Sequence, residues 1–267
     1  MRTRDFVDAL GVRELSPATS ALDPGYSPLE LESHLEQSGH LLSTLKISMA
    51  CWLIANETST RAKTEASRRH GVTTVTGGGP FEVSVAQGVF EDYLDLCADI
   101  GVDRIESGEG FTEMHLSPES VVSAAAERGL DVQFELGKKH EGRFSLDTVT
   151  DLIDQGRRWM DAGAVQLIIE ARESALAVGL FDTDGRLNTG LAEHFVSAFG
   201  THAVVFEAPT KRSQFALLDH FGPEVHLANV RLEEILRVEI YRRGLHSDAF
   251  RNDRLRPHIN PRVQSGA

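Results

Sequence analysis

Five acidic residues stand at or near the ends of short apolar runs, where they could act together. The runs SALD, DRIES, VQFE, LIIE and VVFE carry Asp23, Glu106, Glu135, Glu170 and Glu207. A buried carboxylate is unfavourable unless a cation or a metal compensates its charge. Carboxylate oxygens are the ligands that Mg²⁺ prefers. If the runs end at one place, the sequence predicts a Mg²⁺ site held by some of Glu106, Glu135, Glu170 and Glu207.

Basic residues accompany the same runs and could balance these acids or transfer protons. Because side chains alternate along a strand, an inward Glu135 predicts an inward Lys139, and an inward Glu170 predicts an inward Arg172. The alternative is that each base forms a structural salt bridge at the rim, and for any one residue this remains open. The basic candidates are Lys46, Lys138, Lys139, Arg172 and Lys211.

A phosphate site is predicted from a glycine run and from polar residues late in the chain. Gly77, Gly78 and Gly79 would let backbone N–H groups approach an anion closely, although such a run is also common in ordinary loops. His226 and Asn229 are predicted near the end of the last strand, where barrels often bind phosphate. A single histidine there is also commonly only a hydrogen-bonding residue. We place the phosphate between the glycine run, these residues, Arg172 and Lys211.

The elements that would position these residues are eight apolar, β-branched runs alternating with helical patterns. Eight β–α pairs in about 250 residues are typical of an α/β protein with a (β/α)8 TIM barrel, in which active sites lie at the carboxyl ends of the strands. An open doubly wound sheet is the alternative, but no Gly-x-Gly-x-x-Gly turn follows the first strand. The predicted strands are Ser20–Asp23, Ser43–Ser48, Val72–Gly77, Asp103–Ser107, Asp131–Gly137, Val165–Ala171, Ala203–Ala208 and Glu224–Val230.

Residues that typically begin helices, and the limits of the barrel, complete the predicted organisation. Ser27-Pro28 and Ser117-Pro118 predict helix starts, and further helices are predicted at 189–199, 211–221 and 232–243. We predict a lead-in at residues 1–18, a barrel at 19–250, and a polar tail at 251–267 that is flexible or wraps a neighbouring subunit in a homo-oligomer.

The composition excludes several classes of protein. The chain has 267 residues, 41% of them hydrophobic, and a net charge of −13. This acidic balance argues against broad nucleic-acid or anionic-membrane surfaces, although it allows a local pocket for a small anionic substrate. No apolar run approaches the roughly 18 residues of a transmembrane helix, and two cysteines form no disulfide framework. We therefore expect a cytoplasmic protein.

Several motifs together resemble the phosphosulfolactate synthase family of coenzyme M and sulfonate biosynthesis, over residues 20–250. The resemblance implies a lyase with a (β/α)8 barrel that adds sulfite to phosphoenolpyruvate with Mg²⁺ and no organic cofactor. It also implies that a lysine protonates C2, for which we take Lys139, and we expect neighbouring cations to lower the pKa of this lysine so that it can serve at neutral pH. The matching residues are Gly77-Gly78, Phe81-Glu82, Glu106, Glu135-Leu136-Gly137-Lys138-Lys139, Ile169-Glu170-Ala171-Arg172-Glu173-Ser174, Phe206-Glu207-Ala208-Pro209, Lys211, Gln214, Leu227-Ala228-Asn229 and Arg242-Arg243-Gly244-Leu245.

The chain also departs from the family pattern, mostly after the first two strands. Pro24 replaces a lysine, His246 replaces an arginine, and Met49, Cys51 and Trp52 make the loop after the second strand bulkier and more apolar than in the family. These changes predict that sulfite is used poorly and that a larger partner, such as an organic thiol or amine or a modified phosphoenolpyruvate, is accepted. The alternative is that these loops face solvent and have changed without a functional consequence. The resemblance also includes plant heat-stress proteins, so a non-catalytic stress or interaction protein is a further alternative.

Overall fold

The computed structural model of the chain describes residues 2–257 and contains a closed barrel of eight parallel strands in chain order. Each predicted strand is present, within about two residues of its predicted limits, so the predicted (β/α)8 barrel is confirmed. The strands are β1 Thr19–Asp23, β2 Leu42–Ile47, β3 Thr73–Thr76, β4 Arg104–Gly108, β5 Asp131–Leu136, β6 Gln166–Ile169, β7 Val204–Glu207 and β8 His226–Arg231.

Helices connect the strands and surround the barrel. The α-helices are α1 Thr3–Ala9, α2 Pro28–Ser38, α3 Cys51–Ile54, α4 Glu57–Arg69, α5 Gly78–Ala86, α6 Phe90–Asp99, α7 Pro118–Ala126, α8 Leu146–Ala162, α9 Thr189–Phe199, α10 Lys211–Phe221 and α11 Ile235–Arg242. Short 3₁₀ turns cover Gly39–Leu41, Leu232–Glu234 and Ala249–Arg251.

Local sequence signals explain where several helices begin. The Ser27 side chain accepts a hydrogen bond from the Glu30 N–H at the start of α2, and Ser117 caps α7 in the same way. The predicted helices at 189–199 and 211–221 have the observed limits. The stretch predicted as one helix at 232–243 instead begins with a 3₁₀ turn before α11.

The inward or outward direction of each strand residue follows from what its neighbours contact. On β5, Phe134 stacks on Trp159 of α8, with ring centroids 4.2 Å apart, so this side chain points out of the barrel. Because side chains alternate, Gln133 and Glu135 point into the barrel. The inner surface of the strands therefore carries polar residues as well as a small apolar cluster of Ile168, Val205 and Ala228.

The amino-terminal end of the barrel is closed by a buried arginine. The Arg242 guanidinium of α11 donates to the carbonyl oxygens of Pro223 and Val225, at 2.5 and 2.7 Å. It also donates to Thr19 Oγ1 at 2.9 Å and pairs with Glu239 at 3.1 Å. These partners satisfy a buried charge, so this end is built for stability and the opposite end remains for chemistry.

The predicted terminal segments are described in part. The barrel begins at Thr19, after α1 and an extended segment. In the predicted tail, Leu255 is buried and Asn252 donates to Asp219 of α10. Residues 258–267 of that tail lie outside the described residues, and the domain limits stay predictions. Within residues 2–257, no helix combines the length and apolarity needed to cross a membrane.

Candidate active site

The carboxyl ends of the strands open into a cavity of about 890 Å³. This volume lies in the upper part of the range typical of ligand pockets, about 300–1,000 Å³. The structure thus brings together most of the residues that the sequence singled out. The predicted residues that line it are Lys46, Gly77, Gly78, Gly79, Glu106, Glu135, Lys139, Glu170, Arg172, Glu207 and Asn229.

Lys46 is the buried cation at the centre of this cavity. Its Nζ lies 2.6 Å from Glu106 Oε1 and 3.6 Å from Glu207 Oε1. Burial lowers the pKa of Lys46, but the two carboxylates more than compensate and the net pKa is raised. Lys46 is therefore a fixed positive charge that holds the acids of the mouth together, and it is poorly suited to releasing a proton.

Glu106 links β4 to the start of α5. Its Oε1 accepts the backbone N–H of Gly78 at 3.0 Å, and its Oε2 accepts the Gln133 amide at 2.9 Å. Burial nevertheless raises the pKa of Glu106. The Glu106 carboxylate thus already accepts one of the backbone N–H groups at the positively polarised amino terminus of α5. A Cβ on Gly77 would lie 2.8 Å from the Met49 backbone nitrogen, so this position requires glycine.

Glu170 and Glu207 form a carboxyl–carboxylate pair beside Lys46. Burial, with Glu207 and Glu135 nearby, raises the pKa of Glu170 well above its ordinary value. The raised pKa favours the protonated form of the Glu170 carboxyl beside Glu207. Backbone groups hold both side chains: Arg172 N–H donates to Glu170 Oε1 at 2.5 Å, and Ala171 N–H donates to Glu207 Oε2 at 2.9 Å.

Lys139 enters the cavity from the loop after β5, on the same side as Glu135. Its Nζ lies 3.5 Å from Glu135 Oε1 and 5.8 Å from the centre of the Phe111 ring, and its side chain is 26% exposed. We expected neighbouring cations to lower its pKa, and this was wrong. Burial lowers the pKa of Lys139, but nearby carboxylates, Glu135 first, raise it overall, which favours the protonated form of Lys139.

Two oxygen atoms at the mouth have no hydrogen-bond partner. Glu135 Oε1 and Asn229 Oδ1 are both buried without a hydrogen bond, although Glu135 Oε1 lies 3.5 Å from the Lys139 ammonium. Asn229 has a φ of +57°, in the left-handed region that asparagine adopts more readily than most residues. Unpaired buried oxygens are costly, so these two atoms are available to a ligand or a cation. In the part of the chain that the structure describes, however, no three acidic, histidine or cysteine side chains gather closely enough to hold one metal ion.

Two of the predicted lysines lie away from the cavity. Lys138 is exposed and pairs with Glu141 at 3.0 Å, beside a smaller cavity of about 340 Å³. Lys211, the first residue of α10, is exposed and its Nζ lies 5.1 Å from the centre of the Phe215 ring. These two lysines follow strands in the sequence, but neither side chain lines the main cavity.

His226 lies at the opposite end of the barrel from its predicted position. It is the first residue of β8, and its ring packs at 6.0 Å from that of His202. Burial, with Arg242 and His202 nearby, lowers the pKa of His226 to about 4. A neutral histidine among the structural groups at the amino-terminal end does not contact the cavity, so His226 is removed from the phosphate site.

Sequence reasoning missed Arg231, the last residue of β8. Arg231 is exposed and lines the cavity two residues after Asn229. The period of two along a strand, applied to Asn229, would have identified it. Arg172 lines the same cavity, with a φ of +56°, and its guanidinium donates to the Lys139 carbonyl at 2.6 Å. Two arginines therefore provide positive charge at the open mouth.

The departures from the family pattern have different surroundings. Pro24 and Met49 line the cavity. Trp52 is buried against Tyr93, and His246 packs against aromatic rings of α10 and α11. Next to Pro24, Lys63 of α4 forms a buried ion pair with Asp23, with Nζ 2.6 Å from Oδ2. Fewer of the departures therefore bear on the second substrate than the sequence suggested.

Comparisons with known proteins find relatives that match most of the chain. The family model for (2R)-phospho-3-sulfolactate synthase (ComA) matches residues 15–248. Phosphosulfolactate synthase from Methanocaldococcus jannaschii is 30% identical over 87% of this chain and 93% of its own length. The Bacillus subtilis phosphosulfolactate synthase is 26% identical over 92% of this chain and 98% of its own length.

Solved structures with little sequence identity share the fold alone. A 3-dehydroquinate dehydratase from Enterococcus faecalis is similar with a TM-score of 0.54 and 9% identity, over 85% of this chain and 95% of that one. A dihydrodipicolinate synthase from Agrobacterium tumefaciens has a TM-score of 0.52 and 11% identity, over 90% of this chain and 79% of that one.

Proposed function

Because the chain belongs to the phosphosulfolactate synthase family of carbon–sulfur lyases, we propose that it adds a sulfur nucleophile, sulfite in the family, to C3 of phosphoenolpyruvate or a related enol phosphate. The observation that carries this proposal is the mouth of the barrel, where protonated Lys139 stands beside a cluster of buried carboxylates around Lys46. An open cavity of about 890 Å³ supports an enzyme over a non-catalytic protein with a collapsed mouth.

The proposed reaction forms one sulfur–carbon bond and transfers one proton to carbon. The sulfur lone pair forms a bond to C3, and the π electrons of the C2–C3 bond move to C2 and into the substrate carboxylate. Lys139 then gives its proton to C2, which completes the addition without an oxidant or a reductant. The raised pKa of Lys139 keeps this proton in place until carbanion character develops at C2. Lys46 stays charged and lowers the cost of bringing an anion among the carboxylates.

We place the substrate phosphate beside Arg231, Arg172 and Asn229, with the free N–H groups of α5 as further donors. Both arginines line the open side of the cavity, and a guanidinium matches the geometry of phosphate oxygens. A Cβ built at Gly79 would meet no atom within 4 Å, so the start of α5 has room for an anion. Lys211 and His226 are not included, because neither lines the cavity.

The residues present fit a Mg²⁺ ion that uses few protein ligands. Mg²⁺ usually keeps several waters and takes one or two carboxylates together with substrate oxygens. Glu170 and Glu207 would hold it, with the unpartnered Glu135 Oε1 nearby. When bound, Mg²⁺ would stabilise negative charge on the substrate carboxylate. Glu106 is less suited, since both of its oxygens already accept hydrogen bonds.

Removal of one of these carboxylates is expected to weaken Mg²⁺ binding. The Glu170→Gln variant should bind Mg²⁺ about tenfold more weakly or worse, because affinity depends on the number of charged ligands. Isothermal calorimetry with Mg²⁺ alone measures this without any substrate. Glu173→Gln, a change at an acid lining the same cavity, is the matched control and should keep the wild-type affinity. Equal affinity in both variants would remove Glu170 from the metal site.

A second candidate is that the sulfur nucleophile is an organic thiol and not sulfite. One side of the cavity is apolar, and its large side chains are between 36% and 51% exposed. Such a surface suits a substrate with an apolar body better than a small dianion. The residues of this apolar wall are Met49, Leu53, Val83, Val89, Leu96 and Phe111.

Phosphorus NMR and steady-state kinetics test the reaction and the choice of nucleophile together. The protein is incubated with phosphoenolpyruvate, Mg²⁺ and either sulfite or alkyl thiols of increasing length. We expect conversion with a thiol to exceed that with sulfite, whose kcat/KM should fall below about 10⁴ M⁻¹s⁻¹. Efficient use of sulfite would restore the ordinary family reaction. No conversion with any nucleophile would favour the non-catalytic alternative.

A further inference from the structure

Glu82 of α5 binds a complete turn of the loop after β4. Its carboxylate accepts the backbone N–H groups of Gly110, Phe111 and Thr112, at 3.1, 2.9 and 2.9 Å. It also accepts the Thr112 hydroxyl at 3.0 Å. Glu82 is 1% exposed and does not line the cavity. A buried carboxylate with four donors is well compensated, so its charge is used to fix the conformation of this turn.

The turn held by Glu82 forms one wall around Lys139. The Lys139 N–H donates to the Gly110 carbonyl at 2.9 Å. A Cβ on Gly110 would lie 2.8 Å from Lys139 Cε and 3.1 Å from its Cγ. The Phe111 ring lies 5.8 Å from the ammonium nitrogen. The turn therefore contacts Lys139 along its backbone, its stem and its charged end.

We propose that Glu82 is a positioning residue for Lys139 and acts through the turn at Gly110–Thr112. The proposal rests on the proposed function, in which Lys139 gives its proton to C2. A lysine side chain is long and flexible, so an unrestrained ammonium would sample many positions. Glu82 restricts these positions from behind the turn, without contacting the substrate itself. A misplacement of about 1 Å at the reacting atoms can cost roughly 10²-fold in rate.

The Glu82→Gln variant tests this proposal, because an amide cannot accept from all four donors. We expect kcat to fall roughly 10- to 10²-fold, with the KM for phosphoenolpyruvate changed by no more than about twofold. Asp103→Asn is the matched control, since Asp103 also accepts a backbone N–H and a hydroxyl, those of Thr74, at the other end of the barrel. This control should keep the wild-type kcat.

A second measurement reads the position of Lys139 without any substrate. The chain has five lysines, Lys46, Lys63, Lys138, Lys139 and Lys211, so acetic anhydride labelling followed by mass spectrometry resolves each one. We expect Lys139 to be labelled several-fold faster in Glu82→Gln than in the wild type, relative to exposed Lys138, and unchanged in Asp103→Asn. If phosphoenolpyruvate proves not to be the substrate, this result still decides the role of Glu82.

Gly110→Ala provides a second variant in case Glu82→Gln does not fold. The added methyl group would lie 2.8 Å from Lys139 Cε and 3.1 Å from Glu82 Oε1, so it should disturb the contact between the turn and both side chains, with the same loss of kcat and the same change in labelling. Labelling of Lys139 at the wild-type rate in the folded variants would overturn the proposal. So would a Glu82→Gln protein that is less stable but retains its kcat.

Discussion

Replacement of Lys139 by alanine is expected to lower kcat by about 10²-fold or more, as the loss of a general acid does. The fold should be kept, because the Lys139 side chain is partly exposed and its ion pair with Glu135 is long, at 3.5 Å. Steady-state turnover of phosphoenolpyruvate with the preferred nucleophile measures the effect. Lys138→Ala is the matched control: it removes the neighbouring lysine, which pairs with Glu141 outside the main cavity, and should change kcat by less than about twofold.

Near-normal turnover in Lys139→Ala would assign the proton to another group. The next candidate would then be Glu170, whose raised pKa also leaves a proton in the mouth of the barrel. Lys46 is a weaker candidate, because its two carboxylate partners hold its proton firmly. The Lys139 and Lys138 variants therefore separate a catalytic role of this lysine from a general effect of charge near the cavity.

The Lys46→Met variant should lose about 3–5 kcal/mol in its free energy of unfolding, together with its activity. Removal of one partner of a buried ion pair leaves the other charge uncompensated, and here Glu106 and Glu207 both depend on Lys46. Methionine keeps most of the unbranched apolar stem of lysine and lacks only the terminal ammonium, so the loss reports mainly the charge. Urea unfolding of the wild type and the variant, followed by circular dichroism, measures this difference.

The double variant Lys46→Met/Glu106→Gln separates electrostatics from packing. If the stability loss comes from an unpaired Glu106, neutralising that carboxyl should recover a large part of it. Activity should not return, because the fixed positive charge beside the substrate is still missing. A Lys46→Met protein as stable as the wild type would contradict the ion-pair network as described. Equal instability of the single and double variants would indicate a packing defect.

The barrel was predictable from the sequence because its signals are local. Strands buried on both faces read as apolar, β-branched runs, and all eight were identified on that basis. Helix starts such as Ser27-Pro28 and Ser117-Pro118 depend on residues only three positions apart. The alternation of side chains along β5 also predicted correctly that Glu135 and Lys139 share one side. Periodicity and capping act within a few residues, so tertiary structure did not change them.

The surroundings of each charged residue depended on tertiary structure instead. The carboxylates around Lys139 outweigh the neighbouring cation Lys46, which reversed the expected direction of the Lys139 pKa. His226 lies at the closed amino-terminal end of the barrel. Asn229, three residues further along β8, lies at the open end. Glu82 and Gly110 meet across 28 residues of sequence. Electrostatic interactions fall off with distance in space, and distant segments become neighbours only when the barrel closes.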